Sequence, residues 1–257
     1  TQGATAFSCG SHTDVAGNAG ATDTTADSGS VTIDTIAPTM TITSGAVSSG
    51  ASTNTAEIGL IFTSSEATSN FASNDITVSG CSLGGTFNPS SSTVYTATCT
   101  ASSDGAISVQ VGADTFSDGV GNTNSAASNT YSWTYDGTAP TMTIASTTNG
   151  VSDGSKTNDA TIALTFTSSE ATTNFAESDI SVSGGSLSDF TGVSSTLYTA
   201  TFTPSGDGAT TVDVGASFTD ATGNANTAAN QFNWEYDGTA PTMTIQAAEV
   251  SDGGTSN

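Results

Sequence analysis

The nonapeptide Asp136-Gly-Thr-Ala-Pro-Thr-Met-Thr-Ile144 returns letter for letter at Asp237–Ile245, and a copy changed at two positions stands at Asp34–Ile42. The three copies are spaced by 102 and 101 residues. A marker with that period repeats a whole domain. Solenoid units recur every ~20–50 residues, whereas about a hundred residues make one β-sandwich. The text between markers repeats too. Leu60-Ile-Phe-Thr-Ser-Ser-Glu-Ala-Thr-Ser-Asn-Phe71 becomes Leu164-Thr-Phe-Thr-Ser-Ser-Glu-Ala-Thr-Thr-Asn-Phe175, and Phe116-Ser-Asp-Gly-Val-Gly-Asn122 becomes Phe218-Thr-Asp-Ala-Thr-Gly-Asn224. Residues 1–33 then read as the C-terminal part of a repeat, 34–135 and 136–236 as full repeats, and 237–257 as the N-terminal part of another. The chain opens without Met and closes in mid-repeat, which leads us to expect a longer array around it, with room for a signal peptide, an anchor or another domain.

Within a repeat, apolar residues alternate with polar ones. Met40 and Ile42 follow the Pro38 turn; Ile58, Leu60 and Phe62 come next, then Ile76 and Val78. Val94–Cys99, Ile107–Val111 and Tyr131–Tyr135 have the same character, and Met142 to Tyr236 repeats it. Period-two alternation of Thr, Val, Ile, Tyr and Phe, broken by Gly, Ser, Asn and Asp, is the signature of strands. No stretch has helical spacing. Six or seven short strands per hundred residues predict an all-β fold: tandem immunoglobulin-like sandwiches in a linear array.

Charge narrows the partners. One Lys and no Arg stand against 24 Asp plus Glu, a net charge of −23. Nucleic acids and anionic membrane surfaces are recognised through Lys and Arg, so neither is an expected partner. No apolar run is long enough to span a bilayer. Acids this poorly matched by bases must be spread through water or neutralised by a bound cation.

The predicted strand order says which acids meet. Successive strands alternate direction, so the loop Ser64-Ser-Glu66 and the loop Asp118–Asn122 should reach the pole of the sandwich where the linker residue Asp34 comes in. Glu170, Asp220 and Asn224 should meet Asp136 in the same way.

The Asp-Xaa-Xaa-Gly-Asn loop, the Asp-Gly-Thr-Ala-Pro-Thr linker and Thr-Ser-Ser-Glu-Ala resemble the bacterial Ig-like domains of giant surface adhesins and related extracellular repeat proteins. The resemblance covers both full repeats and both fragments. It implies Ca²⁺ at domain junctions, held here by the linker acids Asp34, Asp136 and Asp237 and the loop acids Asp14, Asp118 and Asp220. The loop geometry adds Glu66 and Glu170, with the Asn122 and Asn224 amides completing the set. Ca²⁺ takes about six to eight oxygen ligands, which carboxylates and nearby carbonyls supply. The alternative is that these Asp residues only build Asx-type turns. No EF-hand loop is present, so the proposed site is assembled from separate segments. Pro38, Pro140 and Pro241 hold the linkers extended, which predicts a stiff rod.

Three cysteines remain. A hairpin turn near Asn88–Ser92 places positions equidistant from Ser90 opposite each other, among them Cys81 and Cys99. The equivalent positions in the next repeat are Gly185 and Phe202, so the two cysteines are lost together. That pattern favours a disulfide over two buried thiols, and a disulfide implies an oxidising compartment. Cys9 has no mate in the chain's own fragment.

His12 is the only histidine, so no Ser-His-Asp or Cys-His set can be assembled, and the His/Cys clusters zinc needs are missing. Trp133 and Trp234 recur at matching positions, as core residues would; sugar stacking is the alternative. The expected protein is non-enzymatic and extracellular: a filament, hair or stalk of calcium-stiffened domains that associates with copies of itself. The second reading is a cell-surface adhesin or carbohydrate-binding array with glycan partners.

Overall fold

The computed structural model describes residues 4–5, 13–20, 31–246 and 253–255. Cys9 and His12 lie outside the described residues. The chain divides into two compact units, Thr1–Gly137 and Thr138–Asn257.

In the first unit, Ala4–Thr5 (β1) pairs with Val31–Thr32 (β2). Eight strands then build the repeat: Met40–Thr43 (β3), Ser52–Thr53 (β4), Glu57–Ser64 (β5), Ile76–Ser79 (β6), Cys81–Pro89 (β7), Val94–Ala101 (β8), Gly105–Val111 (β9) and Tyr131–Tyr135 (β10). They form two four-stranded sheets, β3-β5-β8-β7 and β4-β10-β9-β6. All pairings are antiparallel except β4 with β10. The second unit repeats this order with Met142–Ser146 (β11), Ser155–Thr157 (β12), Ile162–Ser168 (β13), Ile180–Ser183 (β14), Gly185–Gly192 (β15), Leu197–Pro204 (β16), Gly208–Val214 (β17) and Phe232–Tyr236 (β18).

Alternation decides which faces are buried. Along β5, Ile58, Leu60, Phe62 and Ser64 point inward while Glu57, Gly59, Ile61 and Thr63 point out. Each unit closes over its own core. At the hub of the first lies Phe71, in the loop after β5, with ring centroids 5.0 Å from Tyr95, 5.3 Å from Phe116 and 5.9 Å from Phe62. Phe175 repeats these contacts with Tyr198, Phe218 and Phe166. Fully burying such a ring contributes about 2–3 kcal/mol, and here it also pins the loop that carries Glu66. Trp133 and Trp234 are each 2 % exposed, so they belong to the cores and offer no stacking platform.

Four short or irregular strands were not legible. β4 and β12 are too brief for alternation to register. β7 and β15 are edge strands carrying several Gly and a bulge, so their pattern is broken. Between β6 and β7 the chain crosses from one sheet to the other at Gly80, whose φ is 75°. A side chain there would run into the Ala106 carbonyl, so only Gly fits.

Cys81 and Cys99 are disulfide-bonded, with Cα atoms 5.9 Å apart. They are not directly opposite, as a turn centred on Ser90 requires. Cys99 faces Leu83 and Cys81 faces Ala101, so the bridge runs diagonally between β7 and β8. The hairpin is instead centred on Ser92, since Pro89 faces Tyr95, and a bulge between Gly84 and Asn88 moves the register again. In the second unit the ring of Phe202 fills the place of the bridge. A Cβ on Gly185 would overlap that ring, which explains why the two positions change together.

Candidate metal centre

Three hydrogen-bonded seams bring the acids of the first repeat together. Linker and β5 loop are joined by the Thr39 amide donating to Ser65 Oγ (3.0 Å) and the Ser65 amide donating to the Thr39 carbonyl (2.9 Å). The β5 loop is joined to the Asp118 loop by Ser69, whose amide reaches the Ser117 carbonyl (3.0 Å) and whose hydroxyl reaches the Asp118 carbonyl (2.8 Å). Asn70 Oδ1 accepts the Ser117 amide (2.7 Å). The Asp118 loop is tied back to the linker by Asn122 Nδ2, which donates to the Asp34 carbonyl (3.1 Å). The result places one carboxylate oxygen each of Asp34, Glu66 and Asp118 within 4.8 Å of one another. Asp136, Glu170 and Asp220 offer an equivalent group.

The three carboxylates differ. Asp118 is 4 % exposed. Its Oδ1 accepts the amides of Val120 (2.9 Å), Gly121 (2.7 Å) and Asn122 (2.9 Å), and its Oδ2 accepts Asn122 Nδ2 (2.8 Å). Burial is the largest single influence and raises its pKa, but the hydrogen bonds from Asn122, Val120 and Gly121 together outweigh it and hold the group below its ordinary value. Glu66 goes the other way. Burial raises its pKa, and the charges of Asp34 and Asp118 raise it further. Its Oε1 is buried with no hydrogen-bond partner. A carboxylate oxygen removed from water and facing two further acids needs either a proton or a cation.

The donor set suits a hard cation. All candidate ligands are oxygens, and neither His nor Cys takes part, which favours Ca²⁺ or Mg²⁺ over zinc or copper. Three carboxylates on separate loops fit the flexible, oxygen-rich shell of Ca²⁺ better than the strict octahedron of Mg²⁺.

The Asx-turn chemistry is present as well. Asp220 accepts the amides of Thr222 (2.8 Å), Gly223 (2.7 Å) and Asn224 (2.9 Å). Asp14 makes the same turn with Ala16 and Asn18. Asn122 and Asn224 donate their amide nitrogens to Asp118 and Asp220, so their observed work is to close these loops. Asp14 and Asp237 are exposed, and among the described residues neither joins a group of three acids. Ser65, Ser69 and Asn70 escaped the sequence reading, although their repetition as Ser169, Thr173 and Asn174 was a usable signal. So did Asn124, which is completely buried. Its Oδ1 accepts the Thr115 and Phe116 amides and its Nδ2 donates to the Gly112 and Ala126 carbonyls. Asn226 does the same in the second repeat.

With two antiparallel sheets per repeat, a β4 strand running parallel to β10 and an apolar slab between the layers, each unit is an immunoglobulin-like sandwich. The chain belongs to the bacterial Ig-like domain family, which matches residues 34–135 and 136–236. Among solved structures it is similar in fold to Yersinia pseudotuberculosis InvD, at 16% identity and a TM-score of 0.35, over 84% of this chain and 65% of that one. The adhesin InvE of the same organism matches at 16% identity and a TM-score of 0.27, over 78% of this chain and 58% of that one. The C-terminal domain of the Streptococcus agalactiae AgI/II polypeptide BspA matches at 8% identity and a TM-score of 0.32, over 77% of this chain and 99% of that one. This chain therefore spans less than two thirds of either Yersinia protein. No curated protein sequence matches it. Among the described residues no helix is long and apolar enough to cross a membrane.

Proposed function

We propose that this chain is a segment of an extracellular structural array, a filament or stalk, whose Ig-like repeats are stiffened by Ca²⁺ and which acts by extension and adhesion instead of catalysis. The observation that carries the reading is the unpartnered, buried Oε1 of Glu66 inside the Asp34–Glu66–Asp118 group. The recurrence of that group as Asp136, Glu170 and Asp220 argues for a property of every repeat, where an active site would need only one. The disulfide adds support for an oxidising, extracellular setting.

The residues would divide the work as follows. Asp118 and Asp220, fixed by their loop amides, present preset anionic oxygens. Glu66 and Glu170 bring the charge that makes the empty group unfavourable, and Asp34 and Asp136 tie the linkers in. A bound divalent ion supplies the positive charge that offsets this repulsion, and it stabilises whatever state assembles the three segments. The test is isothermal titration of Ca²⁺ into chelator-treated chain, alongside small-angle scattering of the same samples. About two sites per chain and a narrower distribution of sizes with Ca²⁺ are expected. Absence of binding at millimolar Ca²⁺ would overturn the reading.

A further inference from the structure

The linker leaving each sandwich is held by an acid that belongs to none of the groups above. In the first unit the Asp136 amide donates to the Thr53 carbonyl (3.0 Å), which carries the parallel β4–β10 pairing one residue further. The next amide, that of Gly137, donates to Asp104 Oδ1 (2.8 Å). Asp104 sits in the turn between β8 and β9. In the second unit the Asp237 amide donates to the Thr157 carbonyl (3.0 Å) and the Gly238 amide to Asp207 Oδ1 (2.6 Å). The Thr239 hydroxyl donates to Asp207 Oδ2. The two turns differ in sequence, Ser102-Ser103-Asp104-Gly105 against Ser205-Gly206-Asp207-Gly208, yet both place the acid on the linker.

A second feature accompanies it. The hydroxyl of Tyr135 lies where a Cβ on Gly137 would be, and that of Tyr236 where one on Gly238 would be. Tyr and Gly are therefore a matched pair: the ring covers the backbone that the acid holds, and only Gly leaves room for it. The linker at Asp34 departs in both members at once, with Ile33 for Tyr and Thr35 for Gly.

We propose that Asp104 and Asp207 are exit clamps, positioning residues that fix the path of the chain out of their own sandwich without any bound cation. The acid opening the next repeat, Asp136 or Asp237, directly precedes the clamped Gly, so the clamp holds that acid's backbone in place before an ion arrives. The linker at Thr35, lacking the Tyr–Gly pair, is the built-in control.

Amide hydrogen exchange on the whole 257-residue chain in excess chelator tests this. The Gly137 and Gly238 amides should exchange about tenfold more slowly than that of Thr35, the scale of one charge-assisted hydrogen bond. Asp104→Ala should remove the protection at Gly137, leave Gly238 protected and leave the β10 amides unchanged. Asp104→Asn, which keeps an acceptor oxygen, should restore most of it. Gly137 exchanging as fast in the unaltered chain as in Asp104→Ala overturns the proposal. So does protection that arises only when Ca²⁺ is added. Because chelator is present throughout, the outcome is independent of whether the acidic groups bind Ca²⁺.

Discussion

At the scale of single residues, Glu66 and Asp118 stand a few ångströms apart and respond to pH in opposite senses. Glu66 has its pKa raised by burial and by the charges of Asp34 and Asp118. Its stabilising contribution in the cation-free chain is complete below its ordinary value of 4.5 and is lost as pH rises through the higher folded value. The Asp118 carboxyl, held low by its hydrogen bonds, contributes above 3.8, and that contribution is lost as pH falls through the lower folded value. Glu66→Gln should therefore raise the melting temperature at pH 7 in chelator by a few degrees and flatten the loss of stability as pH rises above 4.5. In Ca²⁺ the order should invert, with the unaltered chain melting higher. Melting curves that differ by the same amount in both conditions would count against the site. Glu66 was legible because it recurs and because strand order brings its loop to the linker. Asn124 was not. It sits in Gly-Asn-Thr-Asn two residues after the candidate ligand Asn122, and nothing local marks the second Asn as the one that faces the interior. Asn124→Ala would strip the Thr115 and Phe116 amides and the Ala126 carbonyl of their Asn124 partner, while the Gly112 carbonyl keeps the Thr115 hydroxyl, and should cost about 3 kcal/mol by chemical denaturation.

Among the elements, strands with strict alternation such as β5 and β13 could be placed from sequence, whereas β7 depended on a turn whose centre the sequence mislocates by two residues. Glycines and a bulge remove the alternation that would have set the register, and register in such edge strands is weakly specified by pattern alone. The disulfide was found nonetheless, because a two-residue slip keeps both side chains on the same face. The two repeats solve the same packing problem in two ways, and each solution should transfer. Cys81→Gly with Cys99→Phe gives up a loop restraint of roughly 3 kcal/mol and gains burial of a ring worth about 2 kcal/mol, a net loss near 1 kcal/mol. Cys99→Phe alone loses the same restraint and also drives the ring into Cys81, so overpacking should bring its cost to about 4–6 kcal/mol. Denaturant midpoints of both single variants and the double variant measure this coupling, which additive behaviour would exclude.

At the scale of the whole molecule, the described residues form two cores of the same design, each filled by its own residues, and of these only the first contains a bridge. With one Lys, Lys156, paired to Glu235 at 2.8 Å, the remaining acids repel one another across both units, and any salt relieves part of that strain. Calorimetry must therefore compare NaCl and CaCl₂ at matched ionic strength, so that screening is common to both. Under those conditions Ca²⁺ should raise the unfolding temperature of both repeats, since each has its own group of three carboxylates. A reductant should lower only the repeat that contains Cys81 and Cys99, by about 10–20 °C for the roughly 3 kcal/mol of lost restraint in a domain of this size. The transitions are assigned with the Cys81→Gly, Cys99→Phe chain, which should be indifferent to reductant while keeping its full response to Ca²⁺. If Ca²⁺ and Na⁺ produced equal shifts, the acids would be acting through their summed field alone. A reductant moving both transitions together would mean that the two cores unfold as one.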